Sequence, residues 1–280
     1  MKILILFASF LISIGINAQS NPRKATVEYL QTNTSVITNN EALDLIAKSE
    51  FQILLAGENH KDESARQNLK NNLKILQRES EKKFDCLLLE VSQDFQAKMS
   101  QVDFLQTLAP ASKNFLESFV HLASELNVKL YAIDDKNELL GPNLSHEYIY
   151  GIRNNLFMEK IEKLFSDKLC TKAAFVIGAA HLGASSDKLG YKSLNQLIDE
   201  SGLNAISIYS ASPNFPIVNP LAQIKKKHFP TPVGNFALKI NRLAQGWSPL
   251  LFYVPDHEKA SYLEWQMPLF SDLDFLFINR

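Results

Sequence analysis

The sequence predicts an α/β protein: a mostly parallel central sheet flanked by helices, built from two βαβ-type repeats, with a small C-terminal β/loop extension. Three observations carry this reading. Short, continuously apolar runs recur at 51–56 (FQILLA), 84–91 (FDCLLLEV), 128–134 (VKLYAID), 172–178 (KAAFVIG) and 204–210 (NAISIYS). Segments with helical spacing separate them, and unbroken apolar strands between helices imply a parallel sheet covered on both faces. Finally, one strand-plus-motif unit occurs twice.

The elements follow in chain order. Residues 1–18 read as a cleavable signal peptide, with Lys2, an apolar run from Ile3 to Ile16, and cleavage expected after Ala18. That run is too short to span a bilayer comfortably, so no stable membrane anchor is expected after cleavage and the mature chain is expected to be secreted or periplasmic. Residues 62–81 place Leu69, Leu73 and Leu76 on one helical face. A helix is expected over 111–126, with Pro110 near its first turn, where a missing N–H costs little. Ser145 is positioned to cap a helix running to about Phe165, with Ile149, Ile152, Leu156 and Leu164 on one face. Another helix is expected at 187–200. After Ser210, Pro-, Asn- and Gly-rich stretches predict loops, followed by short strands in FALKI, PLLFYV and DFLFINR and a helical patch near 256–265. The organisation expected is one α/β domain over 19–280, with repeat halves near 50–135 and 145–210 and an extension over 211–280.

Composition narrows the function. The 280 residues carry 29 Lys+Arg against 30 Asp+Glu, with 46% hydrophobic residues. This is ordinary globular composition. It excludes a disordered or polytopic membrane protein, and no basic excess exists for bulk binding of nucleic acid. The partner expected is a small-molecule or peptide substrate. Only Cys86 and Cys170 are present, too few for a disulfide scaffold. They either form one bridge, if their strands are neighbours, or stand as two buried thiols.

The repeat is the informative feature. ILLAGENH (53–60) and AFVIGAAH (174–181) each run from an apolar strand to Gly, two residues and His, with the same 121-residue offset from 57 to 178 and from 60 to 181. Ligands of open α/β sheets bind outside the carboxyl ends of the strands. Gly57 and Gly178 are expected to turn the chain there, letting His60 and His181 converge on one site. Imidazoles suit Zn, Mn, Fe or Co, or act as general acid and base near neutral pH. Glu58, Glu90, Asp134 and Asp135 fall at equivalent strand ends, where one carboxylate could complete a metal shell or activate water. Arg153 is expected to reach the same rim and hold an anionic group, although by position alone it reads as a partly solvated helix residue. His121, His146, His228 and His257 have no repeat partner and read as structural or surface. KKKHF (225–229) reads as a solvated patch.

The set GENH, LLLE, AIDD, GIRNN and VIGAAHLG resembles the superfamily that includes TraB/Tiki proteins, ChaN-like haem-uptake lipoproteins and erythromycin esterases. The resemblance covers about residues 50–210 and rests on Gly57 with His60, Glu90, Arg153 with Asn154, and Gly178 with His181. It implies a site at these residues but no single activity. Tiki relatives are metal-dependent proteases, esterase relatives hydrolyse a lactone, and ChaN-like relatives bind haem. The chain lacks the lipoprotein cysteine.

Two functions are therefore expected as alternatives. One is a hydrolase of an ester or amide bond. His60, His181, Glu58, Glu90 and Arg153 would form its active site, and His60, His181 and Glu90 would hold a divalent metal such as Zn, Mn or Co. The other is a haem-binding carrier, with Tyr148, Tyr150 and Tyr209 near the rim as candidate ligands.

Overall fold

The computed structural model describes residues 34–58, 62–135, 146–182, 191–211, 236–240 and 274–278. The expected signal peptide, His60, PLLFYV, KKKHF and the patch near 256–265 lie outside these residues.

In chain order the elements are β1 (Thr34–Thr38), α1 (Asn39–Lys48), β2 (Ile53–Glu58), α2 (Glu63–Glu79) and β3 (Cys86–Ser92). Then come α3 (Val102–Thr107), α4 (Pro110–Leu126), β4 (Lys129–Asp134), α5 (His146–Ser166) and β5 (Ala173–Gly178). The chain continues through α6 (Leu194–Ser201), β6 (Ala205–Ala211), β7 (Phe236–Ile240) and β8 (Phe275–Ile278). The strands form one sheet in the order β1-β7-β8-β6-β2-β5-β3-β4. From β8 to β4 every neighbouring pair is parallel, while β7 runs antiparallel to both β8 and β1. The α/β class and the parallel centre are as the sequence predicts.

The two repeats interleave. β5 lies between β2 and β3, and β2 lies between β5 and β6. The register pairs Glu58 with Gly178, so the two motifs leave the sheet side by side.

Period-two alternation divides the strand side chains between two core layers. Ile53, Leu55, Cys86, Leu88, Phe175 and Ile177 pack on one face, together with Phe157, Met158 and Ile161 of α5 and Leu194 and Ile198 of α6. Leu54, Ala56, Leu87, Leu89 and Val176 pack on the other, with residues of α1, α2 and α4. Both faces are apolar, which is why the strands read as unbroken runs.

Local signals fix the helix starts. Asp62 accepts from Ala65 N–H at the start of α2, and Pro110 opens α4. Ser193 and Gln196 form a capping box on α6. Thr38 and Glu41 form another on α1, a helix whose T-x-x-E signature is in the sequence. The expected Ser145 cap lies outside the described residues. The buried stripe of α5 differs from the expected one. Ile152 and Leu156 are only half-buried, whereas Arg153, Asn154, Phe157, Met158 and Ile161 are buried.

Gly57 is not a turn residue. It sits inside β2, and a Cβ there would lie 2.7 Å from Leu182 Cδ1 and 3.3 Å from the Tyr209 ring. Glycine is required by close approach. Among the described residues no helix is long and apolar enough to cross a membrane.

Cys86 and Cys170 form a disulfide, with Cα atoms 5.8 Å apart. It joins the start of β3 to the segment entering β5, at the end of the sheet opposite the motif ends. The bridge closes a separation of 84 residues. Reduction is therefore expected to lower unfolding stability by about 2–4 kcal/mol. Urea midpoints with and without reductant check this, and an unchanged midpoint would contradict it.

Candidate active site at the carboxyl edge of the sheet

The carboxyl ends of β2, β5, β3 and β4 lie side by side and present Glu58, Gly178, Glu90 and Asp134 in that order. Burying charge there requires partners, and the helices supply them.

Arg153 of α5 takes two of these carboxylates. It donates to Asp134 from Nε at 3.3 Å and from Nη2 at 2.8 Å, and Nη2 also donates to Glu90 Oε1. All three side chains are nearly excluded from solvent, at 11%, 1% and 5% exposure for Arg153, Asp134 and Glu90. Gly178 N–H donates to the other oxygen, Glu90 Oε2, at 2.7 Å. The register of β3 against β4 slips by one residue between Leu89 and Ser92. Bulges of this kind re-aim side chains beside active sites, and Glu90 lies within this one.

His181 lies in the 3-10 turn that follows β5, itself 1% exposed. Its Nδ1 is 2.6 Å from Asn154 Oδ1, and Asn154 Nδ2 donates to the Lys192 carbonyl at 2.8 Å. The amide nitrogen is thus committed elsewhere, so Asn154 presents its carbonyl oxygen to the ring. His181 Nδ1 must carry a proton and donate it, and such a bond sets the tautomer. Nε2 then carries no proton and lies 3.5 Å from Glu90 Oε1. Tyr150 and Phe157 pack their rings against the imidazole at centroid distances of 4.9 and 5.1 Å. Tyr150, Arg153, Asn154 and Phe157 follow i, i+3, i+4, i+7 spacing, so one stripe of α5 brings Tyr150, Asn154 and Phe157 to His181 and Arg153 to the carboxylates.

The electrostatics follow from burial and partners. Burial pushes the Glu90 carboxyl up, but the Arg153 guanidinium and the Gly178 N–H pull it below the usual carboxylate range. Burial lowers the pKa of His181 and outweighs the opposing pull of Glu90. Burial, then Glu90, raises the Tyr150 phenol. Near neutral pH the pair is an ionised carboxylate beside a neutral imidazole.

Glu58 does not join this cluster. Alternation turns it toward α2, where Arg66 Nε donates to Glu58 Oε2 at 3.3 Å. Arg66 was not expected from sequence. It continues the Leu69, Leu73 and Leu76 stripe one step toward the N-terminus, and that position was its signal. Its guanidinium lies 5.1 Å from the centre of the Phe115 ring. Arg66 and Glu90 both line a half-open cleft of about 580 Å³, with Phe95, Leu108, Phe115 and Leu116 among its walls.

Of the remaining expected residues, Asp134 rather than Asp135 reaches Arg153. Tyr209 is not on an accessible rim: it is 1% exposed, packed in the core beside Gly57. Tyr150 is half-buried against His181, and the Tyr148 side chain lies outside the described residues, as does His60. Among the described residues, the one close set of three potential metal-ligating side chains is Asp85, Cys86 and Cys170. Its thiols are joined in the disulfide, which also leaves neither cysteine as a nucleophile.

No protein-family model matches the chain, and no characterised protein matches it in sequence. Solved structures similar to it include the three that follow. The type III effector HopBA1 matches at 15% identity and a TM-score of 0.36, over 68% of this chain and 82% of that one. RRSP, a MARTX toxin effector domain from Vibrio vulnificus, matches at 18% identity and a TM-score of 0.41, over 66% of this chain and 37% of that one. The C-terminal region of Pasteurella multocida toxin, described as having a thiol-protease-like catalytic triad, matches at 16% identity and a TM-score of 0.37, over 59% of this chain and 24% of that one.

Two predictions come from the cluster. Arg153→Met leaves Glu90 and Asp134 buried without their shared cation, and is expected to destabilise the fold by about 3–5 kcal/mol, read by urea unfolding. Stability is also expected to fall with acidification. The unfolded imidazole takes up a proton below about 6.5, where folded His181 does not, so its contribution is lost as pH falls below that value. The depressed Glu90 adds a further loss below about 4.5. His181→Gln should flatten the upper part of this profile, and an unaltered slope between pH about 7 and about 5 would contradict the assignment.

Proposed function

We propose that the chain is a hydrolase of an ester or amide bond, with Glu90 and His181 at the reacting centre. The observation that carries this reading is the buried Asn154–His181–Glu90 series beside Arg153. It pairs an ionised carboxylate with a neutral imidazole whose tautomer is fixed, and neighbouring groups with separated proton affinities mark acid–base sites. His181 Nε2 is the atom that accepts a proton. Asn154 orients the ring and keeps the second proton on Nδ1. Arg153 and Gly178 N–H hold Glu90 ionised and pointed at the imidazole. Glu90 also lines the cleft, and this reading puts the reacting bond on that side of it.

The donor set fits a divalent metal. His181 Nε2 is buried without a hydrogen-bond partner, its Nδ1–H is anchored as in metal-bound imidazoles, and Glu90 Oε1 stands 3.5 Å away. Two ligands with bonds of ~2.0–2.1 Å to one tetrahedral ion are separated by about 3.3 Å. His181 and Glu90 would hold the ion, with His60 as the third ligand suggested by the repeat. Bound Zn, Mn or Co supplies a water acidified toward neutrality. The TraB/Tiki–esterase resemblance agrees with this site, and the disulfide agrees with export into an oxidising compartment. The haem alternative gains nothing here, because Tyr209 is buried and the Tyr150 phenol holds its proton more tightly than usual.

On a panel of esters and peptides, His181→Gln and Glu90→Gln are each expected to lower kcat/KM by about 10²–10⁴-fold while circular dichroism stays native. Activity unchanged in both variants would exclude this centre. Elemental analysis of protein purified without chelator tests the metal, which should disappear in His181→Gln.

A further inference from the structure

The cleft beside Glu90 has walls that hydrolysis alone does not explain. Phe95 follows the end of β3, Leu108 lies between α3 and α4, and Phe115 and Leu116 belong to α4. Together they form an apolar lining that Glu90 borders. Arg66 sits over the face of Phe115 and is itself tied to Glu58, so this wall is braced by a cation–π contact and an ion pair. A cleft of about 580 Å³ is within the size range of small-molecule sites, which pair apolar walls with a few placed polar groups.

We propose that this cleft is an acyl-binding site: it takes the apolar acyl chain of a neutral carboxylic ester or amide and lays the carbonyl against Glu90. The hydrolase reading supplies only the identity of the reacting end. Charge at the cleft favours a neutral ligand. The cleft's charged side chains are Arg66, Glu90 and Asp94, and Arg66 and Glu90 are already engaged by Glu58 and Arg153.

Ala111 and Ser112 line the cleft from the exposed first turns of α4, outside both core layers. Tryptophan at either position fills the cleft without disturbing the core. With 4-nitrophenyl esters, kcat/KM is expected to rise from acetate to octanoate, by at most about fourfold per methylene, the factor that full burial of a CH₂ corresponds to. Ala111→Trp and Ser112→Trp should each lower the octanoate-to-acetate ratio at least about tenfold. Equal ratios in wild type and both variants would overturn the acyl site and leave the hydrolase standing. If no ester is turned over, octanamide binding by calorimetry decides the matter independently. Binding weakened in both variants supports the site, while no binding, or binding the variants leave unchanged, overturns it.

Discussion

Arg153 is the group on which the carboxyl edge of this protein depends. Two parallel strands, β3 and β4, end in carboxylates that the packing of α5 removes from water. Without a shared cation, at least one would have to take up a proton or swing into solvent. With it, both are held in place. The net charge of Glu90, Asp134 and Arg153 is then one negative, beside an imidazole that burial keeps neutral.

The placement of this cluster is a consequence of strand order. Because β5 enters between β2 and β3, the second motif emerges beside Glu58 on one side and Glu90 on the other. Gly178 illustrates the result. Expected as a turn, it closes β5 and donates its N–H to Glu90. Gly57 lets Leu182 and Tyr209 close over β2, which seats the segment carrying His181. The disulfide ties β3 to the entry of β5 at the far end of the same strands, so the two strands that deliver Glu90 and His181 are fastened together away from the chemistry.

Much of this was legible in the sequence because parallel strands buried on both faces are unbroken apolar runs, and those runs marked β2 to β6 closely. The 121-residue repeat and the strand-end carboxylates pointed to Glu90, His181 and the edge they share. The misses have physical causes. Arg153 and Asn154 occupy two positions of the buried stripe of α5, so the apolar periodicity shifted to Ile152 and Leu156. Arg66 belongs to no motif, although its spacing from Leu69 places it on the buried face. Glu58 was grouped with Glu90 because alternation along a strand shows which residues share a face, not which helix covers it. The interleaving of the repeats is a long-range pairing that no local pattern encodes.

The central claim is that Asn154 and burial keep His181 neutral with its proton on Nδ1, leaving Nε2 facing an ionised Glu90. Nitrogen-15 NMR of the imidazole ring tests it most directly. The account predicts a protonated Nδ1 and an unprotonated Nε2 at neutral pH, persisting below the ordinary imidazole value of 6.5, with Asn154→Ala releasing the ring to a mixture of tautomers. A doubly protonated ring at neutral pH, or a proton on Nε2 alone, would contradict it.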